Sequence, residues 1–265
     1  MSTEQATEAR GKEGAGRSAV YVYGIVPADV EPEEHASGVG DPPHGVSVVR
    51  HGEIGALVSE IPTDRPLGTP TDMTAHAELL DGSAAVTPVL PLRFGAVMSD
   101  AEAVEKELLE AHHDEFRAAL EELEGRAQFV IKGRYVEKTI LRELLDENSE
   151  AARLRDEIRD KSADATRDVR MALGEIINQG IESKRAQETR RVLEAIDELE
   201  PLVNERQPTH EQDAVHVAIL VELSKQDDLE DALAGLAEEW DDRVDLSLLG
   251  PMAAYDFVMK RAPEG

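Results

Sequence analysis

Ala214-Val215-His216-Val217-Ala218-Ile219-Leu220-Val221-Glu222-Leu223 is the stretch on which the fold turns. It is a short, nearly unbroken apolar run rich in β-branched residues, so it reads as a buried strand. The chain before it is very different. From about Glu150 to Asn204 it is long, charged and helical in pattern. Apolar positions recur at Val169, Leu173, Ile176, Ile177 and Ile181, then at Val192, Ile196 and Leu199. Gly180 is a candidate bend, and Pro201 a stop. Such a region is either a packed helical hairpin or a partly detached arm. Further upstream, Phe129 to Val136 reads as a strand and Thr139 to Leu145 as a short helix. Downstream, Asp227 or Asp228 caps a helix that runs to Trp240 on Leu229, Leu233, Leu236 and Ala237. Val244 to Leu249 is a strand, Gly250-Pro251 a turn, and Ala254 to Met259 a last strand. From Phe129 the order is strand, helices, strand, helix, strand, strand. That is a modified ferredoxin-like plan with a long helical insertion over residues 150–204.

The first half has its own strands. Residues 1–17 are polar and read as a disordered tail. Ala19-Val20-Tyr21-Val22-Tyr23-Gly24-Ile25-Val26 is a strand ended by Pro27. Glu31 to Gly45 is rich in proline and glycine and reads as a loop. Val46 to Arg50 and Ile54 to Val58 form a hairpin turning at His51-Gly52-Glu53. A short helix follows around Met73 to Leu80, capped by Thr71 or Asp72. Val86 to Leu92 is a strand candidate whose prolines, Pro88 and Pro91, place it at a sheet edge or bulge. Ser99 or Asp100 then caps a helix with Val104, Leu108, Leu109, His112, Phe116, Leu120 and Leu123 on one face and glutamates on the other. Gly125 stops it. The chain is therefore expected to be α+β in two domains. The tail covers 1–17, an N-terminal α+β domain with its acidic helix covers 18–125, and a C-terminal ferredoxin-like domain covers 126–265.

Composition narrows the function. The 265 residues include 56 acidic and 28 basic side chains, a formal charge of −28. A general nucleic-acid binder needs a basic face to displace counterions, so that class is excluded. Docking on anionic lipid headgroups is disfavoured for the same reason. The acidity either keeps a solvated surface from self-associating or steers a basic partner. There is no cysteine, which removes disulfides, thiol catalysis, iron–sulfur clusters and cysteine zinc sites. No run approaches the roughly 18 apolar residues of a membrane span. The first residues lack the apolar segment of a secretory signal. The expectation is a cytoplasmic protein that binds neither nucleic acid nor membrane.

Motifs for nucleotide binding and for the serine-hydrolase elbow are absent. Gly38-Val39-Gly40-Asp41 sits in a proline-rich loop with no helix after it, a poor phosphate cradle. His112-His113-Asp114-Glu115 resembles a metal cluster, but neighbouring helical side chains diverge by about 100°. His112 falls on the apolar face and His113 points into solvent. His76, near Glu78 and Asp81, is a candidate acid–base residue without a visible nucleophile. An enzyme using His76 or His112 is thus the lesser reading, and no metal, cofactor or catalytic residue is expected. Leu90-Pro91-Leu92-Arg93-Phe94-Gly95 places an arginine at a hydrophobic strand end. A buried arginine must be paired, so Arg93 serves either a structural ion pair or partner recognition.

Three stretches carry a family resemblance. Tyr21-Val22-Tyr23-Gly24-Ile25-Val26 resembles the first strand of the gas vesicle protein family GvpF/GvpL. Val89-Leu90-Pro91-Leu92-Arg93-Phe94-Gly95-Ala96-Val97 is similar to that family's Leu-Pro-x-Arg-Phe-Gly run, with a helix opened by Ser99-Asp100 after it. Leu249-Gly250-Pro251 with Tyr255 and Phe257 resembles its closing Gly-Pro-Trp-Pro-Pro-Tyr-Ser-Phe, though Met252, Ala253 and Ala254 replace Trp-Pro-Pro and Asp256 replaces the serine. The resemblance implies two α+β domains, the second a modified ferredoxin-like fold. It implies a non-enzymatic accessory protein of gas vesicle formation. Its partner would be the very hydrophobic shell protein GvpA, with other accessory proteins beside it. Its role would be nucleation, chaperoning or a minor place in the shell. A polymerising hydrophobic subunit must be held before assembly, or its β edges aggregate. The expected surface for this is Leu90, Leu92, Arg93, Phe94, Gly95 and Val97, offered as a sheet edge for strand addition.

Overall fold

The computed structural model describes residues 18–33, 36–63, 67–162 and 164–258. The tail expected over 1–17 lies outside the described residues. Helices and strands are mixed, and the chain divides into two compact units. One runs up to Gly125 and resumes at Met252, and the other is Arg126–Pro251.

The first unit is built on β1 (Ser18–Pro27). β2 (Ser47–His51) and β3 (Ile54–Pro62) form the expected hairpin, and β3 lies antiparallel to β1. α1 (Pro70–Ala84) follows. Its N-cap is Thr69 rather than Thr71 or Asp72. The Thr69 side chain takes the Asp72 N–H while the Asp72 carboxylate takes the Thr69 N–H, so each satisfies a donor that the helix leaves orphaned. The strand expected over Val86–Leu92 shrinks to β4 (Leu90–Pro91), because prolines cannot donate to a ladder. β5 (Val97–Met98) joins the same side of β1. The sheet order is β2-β3-β1-β4, with β5 also on β1. β1 is buried along almost its whole length, as its apolar alternation without a polar face requires.

Asp100 caps α2 (Ala101–Ala103) through the Ala103 N–H at 2.8 Å. The helix then widens into a π-helical stretch over Val104–Glu110, and α3 (His113–Leu123) starts afresh. This shift of helical register corrects the reading of His113. His112 is partly exposed and keeps its ring against Phe116. His113 turns inward, its ring 5.8 Å from that of His51 at the hairpin tip.

The second unit starts with β6 (Arg126–Tyr135), α4 (Glu137–Glu147) and α5 (Ser149–Ile158). α6 (Arg167–Ala195) runs unbroken through Gly180, where a bend was expected. β7 (Leu202–Glu205) falls within the stretch read as helical, and β8 (Asp213–Glu222) is the buried strand expected there. α7 (Gln226–Glu239) has no side-chain cap. Asp227 and Asp228 lie instead in its first turn, where negative charge meets the positive end of the helix dipole. β9 (Val244–Met252) completes a sheet ordered β7-β8-β6-β9. Phe129, Ile131, Val217 and Ile219 from the strands meet Leu229 and Leu233 of α7, Trp240 just after it and Val192 of α6 in one core. The long helix is therefore packed and is no detached arm. Among the described residues no helix is long and apolar enough to cross a membrane.

α6 also buries charge. Lys184 reaches Glu143 at 2.5 Å and Glu147 at 2.7 Å. Arg243 bridges Glu143 at 2.8 Å and the buried Glu188 at 2.6 Å. Burial opposes the charge on Lys184, but the Glu143 and Glu147 carboxylates outweigh it and hold the ammonium above its ordinary value.

The last expected strand, Ala254 to Met259, is not one. β9 continues through Gly250-Pro251, and α8 (Tyr255–Val258) is a single helical turn. Its segment belongs with the first unit rather than closing the second, because Ala253 and Tyr255 join the core of Tyr21, Tyr23, Leu80 and Val89.

Candidate docking site

Two of the resembling stretches, Tyr21–Val26 and Val89–Val97, meet at Gly24, and the third reaches the same unit through Ala253 and Tyr255. A Cβ on Gly24 would lie 2.8 Å from the Leu90 carbonyl oxygen and 2.9 Å from a Leu80 methyl. The missing side chain is what lets Leu90-Pro91 close on β1. There Gly24 pairs with Pro91 and Ile25 with Leu90. Leu92 N–H donates to the Tyr23 carbonyl at 2.9 Å, and Val22 N–H donates to the Ala96 carbonyl at 2.9 Å. Tyr21 then pairs with Val97. Residues 92–96 are thus a loop held against β1 at both ends.

His76 of α1 braces this loop from inside. The Tyr21 hydroxyl lies 2.9 Å from His76 Nδ1 and accepts from Gly95 N–H at 3.2 Å. The ring also bonds to the Leu92 backbone, in the sense that favours a proton on the imidazole, so it donates to that carbonyl. One imidazole therefore reaches both halves of the loop: Leu92 directly and Gly95 through Tyr21. Phe94 covers it, with ring centroids 5.5 Å from His76 and 5.9 Å from Tyr21. Burial lowers the His76 pKa and raises that of Tyr21 to about 12. In this arrangement Nδ1 must be unprotonated to accept from Tyr21.

Tyr23 sits in a parallel chain of bonds. Val39 N–H donates to its hydroxyl at 2.8 Å, the hydroxyl reaches Ser59 Oγ at 2.9 Å, and Ser59 donates to the Gly45 carbonyl at 2.9 Å. Burial raises the Tyr23 pKa. The buried Asp72 carboxylate gathers Gly40 N–H, Gly68 N–H, Thr69 N–H and the Thr69 hydroxyl. Burial alone would raise its pKa, but these donors prevail and hold it below the usual carboxylate value.

Stability should depend on pH through His76. Its folded pKa lies below the ordinary 6.5, so the unfolded chain takes up the proton first. The contribution is present above the unfolded value and is lost as pH falls through the folded one. Urea unfolding is expected to give lower stability at pH 5.5 than at pH 7.5. His76→Asn should flatten that dependence. An unchanged slope would remove His76 from the brace.

The six residues expected to form a surface do not all face outward. Leu90 is buried, Leu92 and Phe94 are half-buried, and Arg93, Gly95 and Val97 are exposed. Arg93 is thus no buried cation, which corrects the reading of its role. Continuous strand addition is also unsupported here. The edge consists of two two-residue strands, one with a proline, separated by a loop. Of the two alternative catalytic histidines, His76 lacks its expected carboxylate partners and His112 keeps one at the surface. His76 is engaged by Tyr21 and Leu92, while Asp81 accepts Ala253 N–H at 3.0 Å. His112 lies 3.5 Å from Glu115 on the surface. Among the described residues no three His, Asp or Glu side chains are grouped to hold a metal. A polar cleft in the second unit is lined by Lys132, Arg134, Asp213, His216, Asp245 and Ser247. Its Asp213 is already bonded to Thr209 and His210, and His216 Nδ1 to the Gln207 carbonyl.

Sequence reasoning missed the Tyr21–His76 and Asp81–Ala253 links, which join residues 55 and 172 positions apart. The available signal was Tyr21 and Tyr23 at period two, which puts both phenols on one face of β1.

A mixed helix-and-sheet protein with two antiparallel sheets is a class with solved members. The chain has the fold of gas vesicle protein GvpF from Anabaena, with a TM-score of 0.76 at 21% identity over 91% of this chain and 98% of that one. Gas vesicle protein F of a Streptomyces species is 29% identical over 243 residues, which is 90% of this chain and 98% of that protein. Gas vesicle protein L of the same strain is 33% identical over 126 residues, 42% of this chain and 46% of that one. The family model described as "Gas vesicle synthesis protein GvpL/GvpF" matches residues 19–259. The chain belongs to this GvpL/GvpF family, and its role is in gas vesicle formation.

Proposed function

We propose that this protein binds the hydrophobic shell subunit GvpA and assists nucleation or assembly of the vesicle without catalysing a reaction. The observation that carries the reading is the closure of the Leu90–Val97 stretch on β1, where a loop braced by His76 leaves Arg93, Gly95 and Val97 exposed. A rigid loop presents side chains to a partner with little ordering cost. The formal charge of −28 keeps such a holder soluble beside an aggregating subunit. In this reading the protein acts in the cytoplasm at the vesicle, and Leu90 to Val97 is the docking segment. The second unit is a ferredoxin-like domain with a helical insertion; the sheet order β7-β8-β6-β9 supports this.

The test is co-expression with GvpA, followed by capture of this protein at moderate and high salt. Soluble GvpA retained at both salts is the expected result. Loss only at high salt would mean electrostatic capture by the acidic surface. No retention at either salt would sink the proposal.

A further inference from the structure

The chain returns to the first unit with residues 252–258, and this return has a designated anchor. Ala253 N–H donates to the Asp81 carboxylate at 3.0 Å, and the Tyr255 hydroxyl is buried beside the same group. Ala253 and Ala254 are buried, and Tyr255 joins the core cluster that Phe94 also packs against. α8 lies against β4, the first two residues of the candidate docking segment. Asp81 is on α1, five residues after His76. The same helix therefore braces the loop from beneath and holds the C-terminal strap beside it.

We infer that residues 252–258 are a built-in wall of the Leu90–Val97 surface, and that Asp81 is the positioning residue that seats them. The partner is a hydrophobic polymerising subunit, and this part of the inference rests on the function proposed above. Without the strap, β4 is a two-residue strand held by its pairing with β1 and by α3. With it, Leu90-Pro91 is clamped between β1 and α8, and the loop that follows keeps its shape. What Asp81 must supply is an acceptor, not a charge. The group accepts the Ala253 N–H, and an amide oxygen can take the same hydrogen bond.

The test uses the full chain and three variants, Asp81→Leu, Asp81→Asn and Tyr255→Phe, with two readouts. Amide hydrogen exchange over residues 90–97 reports the wall directly. Retention of co-expressed GvpA reports docking. Asp81→Leu is expected to speed exchange at Leu92 and Ala96 by at least about tenfold and to cut retention several-fold, with Asp81→Asn close to wild type. Tyr255→Phe should lie between them, and it covers the case in which Asp81→Leu fails to fold. Exchange over 90–97 unchanged in both Asp81→Leu and Tyr255→Phe would overturn the inference. If the wild-type chain retains no GvpA, the proposed function fails, while the exchange data still decide whether the strap is a wall.

Discussion

Arg243→Leu should destabilise the second unit by about 3 kcal/mol, the lower end of what removing one partner of a buried ion pair costs. Glu188 is almost wholly buried, and the Arg243 guanidinium at 2.6 Å is its close cationic partner. Arg191 stands further off, at 3.8 Å from the other carboxylate oxygen. Leucine would leave Glu188 with that weaker partner, and Glu143 with Lys184 alone. The estimate stays at the low end because the Arg243 side chain is 21% exposed, so water reaches part of the network. Urea denaturation with a fluorescence probe on Trp240 should show the midpoint falling with the slope unchanged. A second comparison isolates the cause. Arg243→Leu combined with Glu188→Leu should recover much of the loss, because no buried charge is then stranded. Equal stability of the single variant and wild type would mean that the network contributes nothing.

Gly250→Ala should cost about as much, for a different reason. Gly250 has φ +132°, a region that residues with a side chain rarely adopt. An added Cβ would also lie 2.8 Å from the Gln128 carbonyl oxygen and 2.8 Å from the Phe129 ring. Backbone strain of about 1–3 kcal/mol and overpacking of about 1–3 kcal/mol act together. The expected loss is roughly 2–6 kcal/mol, with β9 peeling from β6 at that end. The check is thermal unfolding, with hydrogen exchange of Phe129 and Val130 as the local readout. A wild-type melting temperature would show that the sheet edge yields at no cost.

Much of this architecture is legible in the sequence, where the local signal is strong. Strands such as β1 and β8 are long apolar runs and read correctly. The hairpin turning at Gly52 and the Asp100 cap are short-range chemistry and also read correctly. Failures occur where a distant contact overrides the local pattern. β7 is four residues with Leu202 and Val203 exposed, so nothing in its own composition separates it from the charged helix before it. α6 conceals its inner face because Lys184 and Glu188 are buried there, and buried charges break the apolar period that identifies a packed helix. The π-helical stretch shifts His113 by a fraction of a turn, which a regular 3.6-residue count does not anticipate. Tyr255 reads as a strand residue by composition, yet its place is set by α1, far away in sequence. The proposed docking segment is marked by its motif, but which of its side chains point outward depends on Tyr21, His76 and Gly24 together.

On the proposed function, the outward side chains of residues 92–97 hold the shell subunit. Val97 tests it with least risk to the fold, because its side chain is exposed while its backbone pairs with Tyr21. The measurement is retention of co-expressed GvpA by Val97→Glu and by Arg93→Glu, beside wild type, with thermal unfolding run on the same samples. Melting should be unchanged and retention should fall by about tenfold or more in at least Val97→Glu, as a charge placed in an apolar contact would give. Full retention by both variants, with wild-type GvpA capture intact, would contradict it and move the docking surface elsewhere on the molecule.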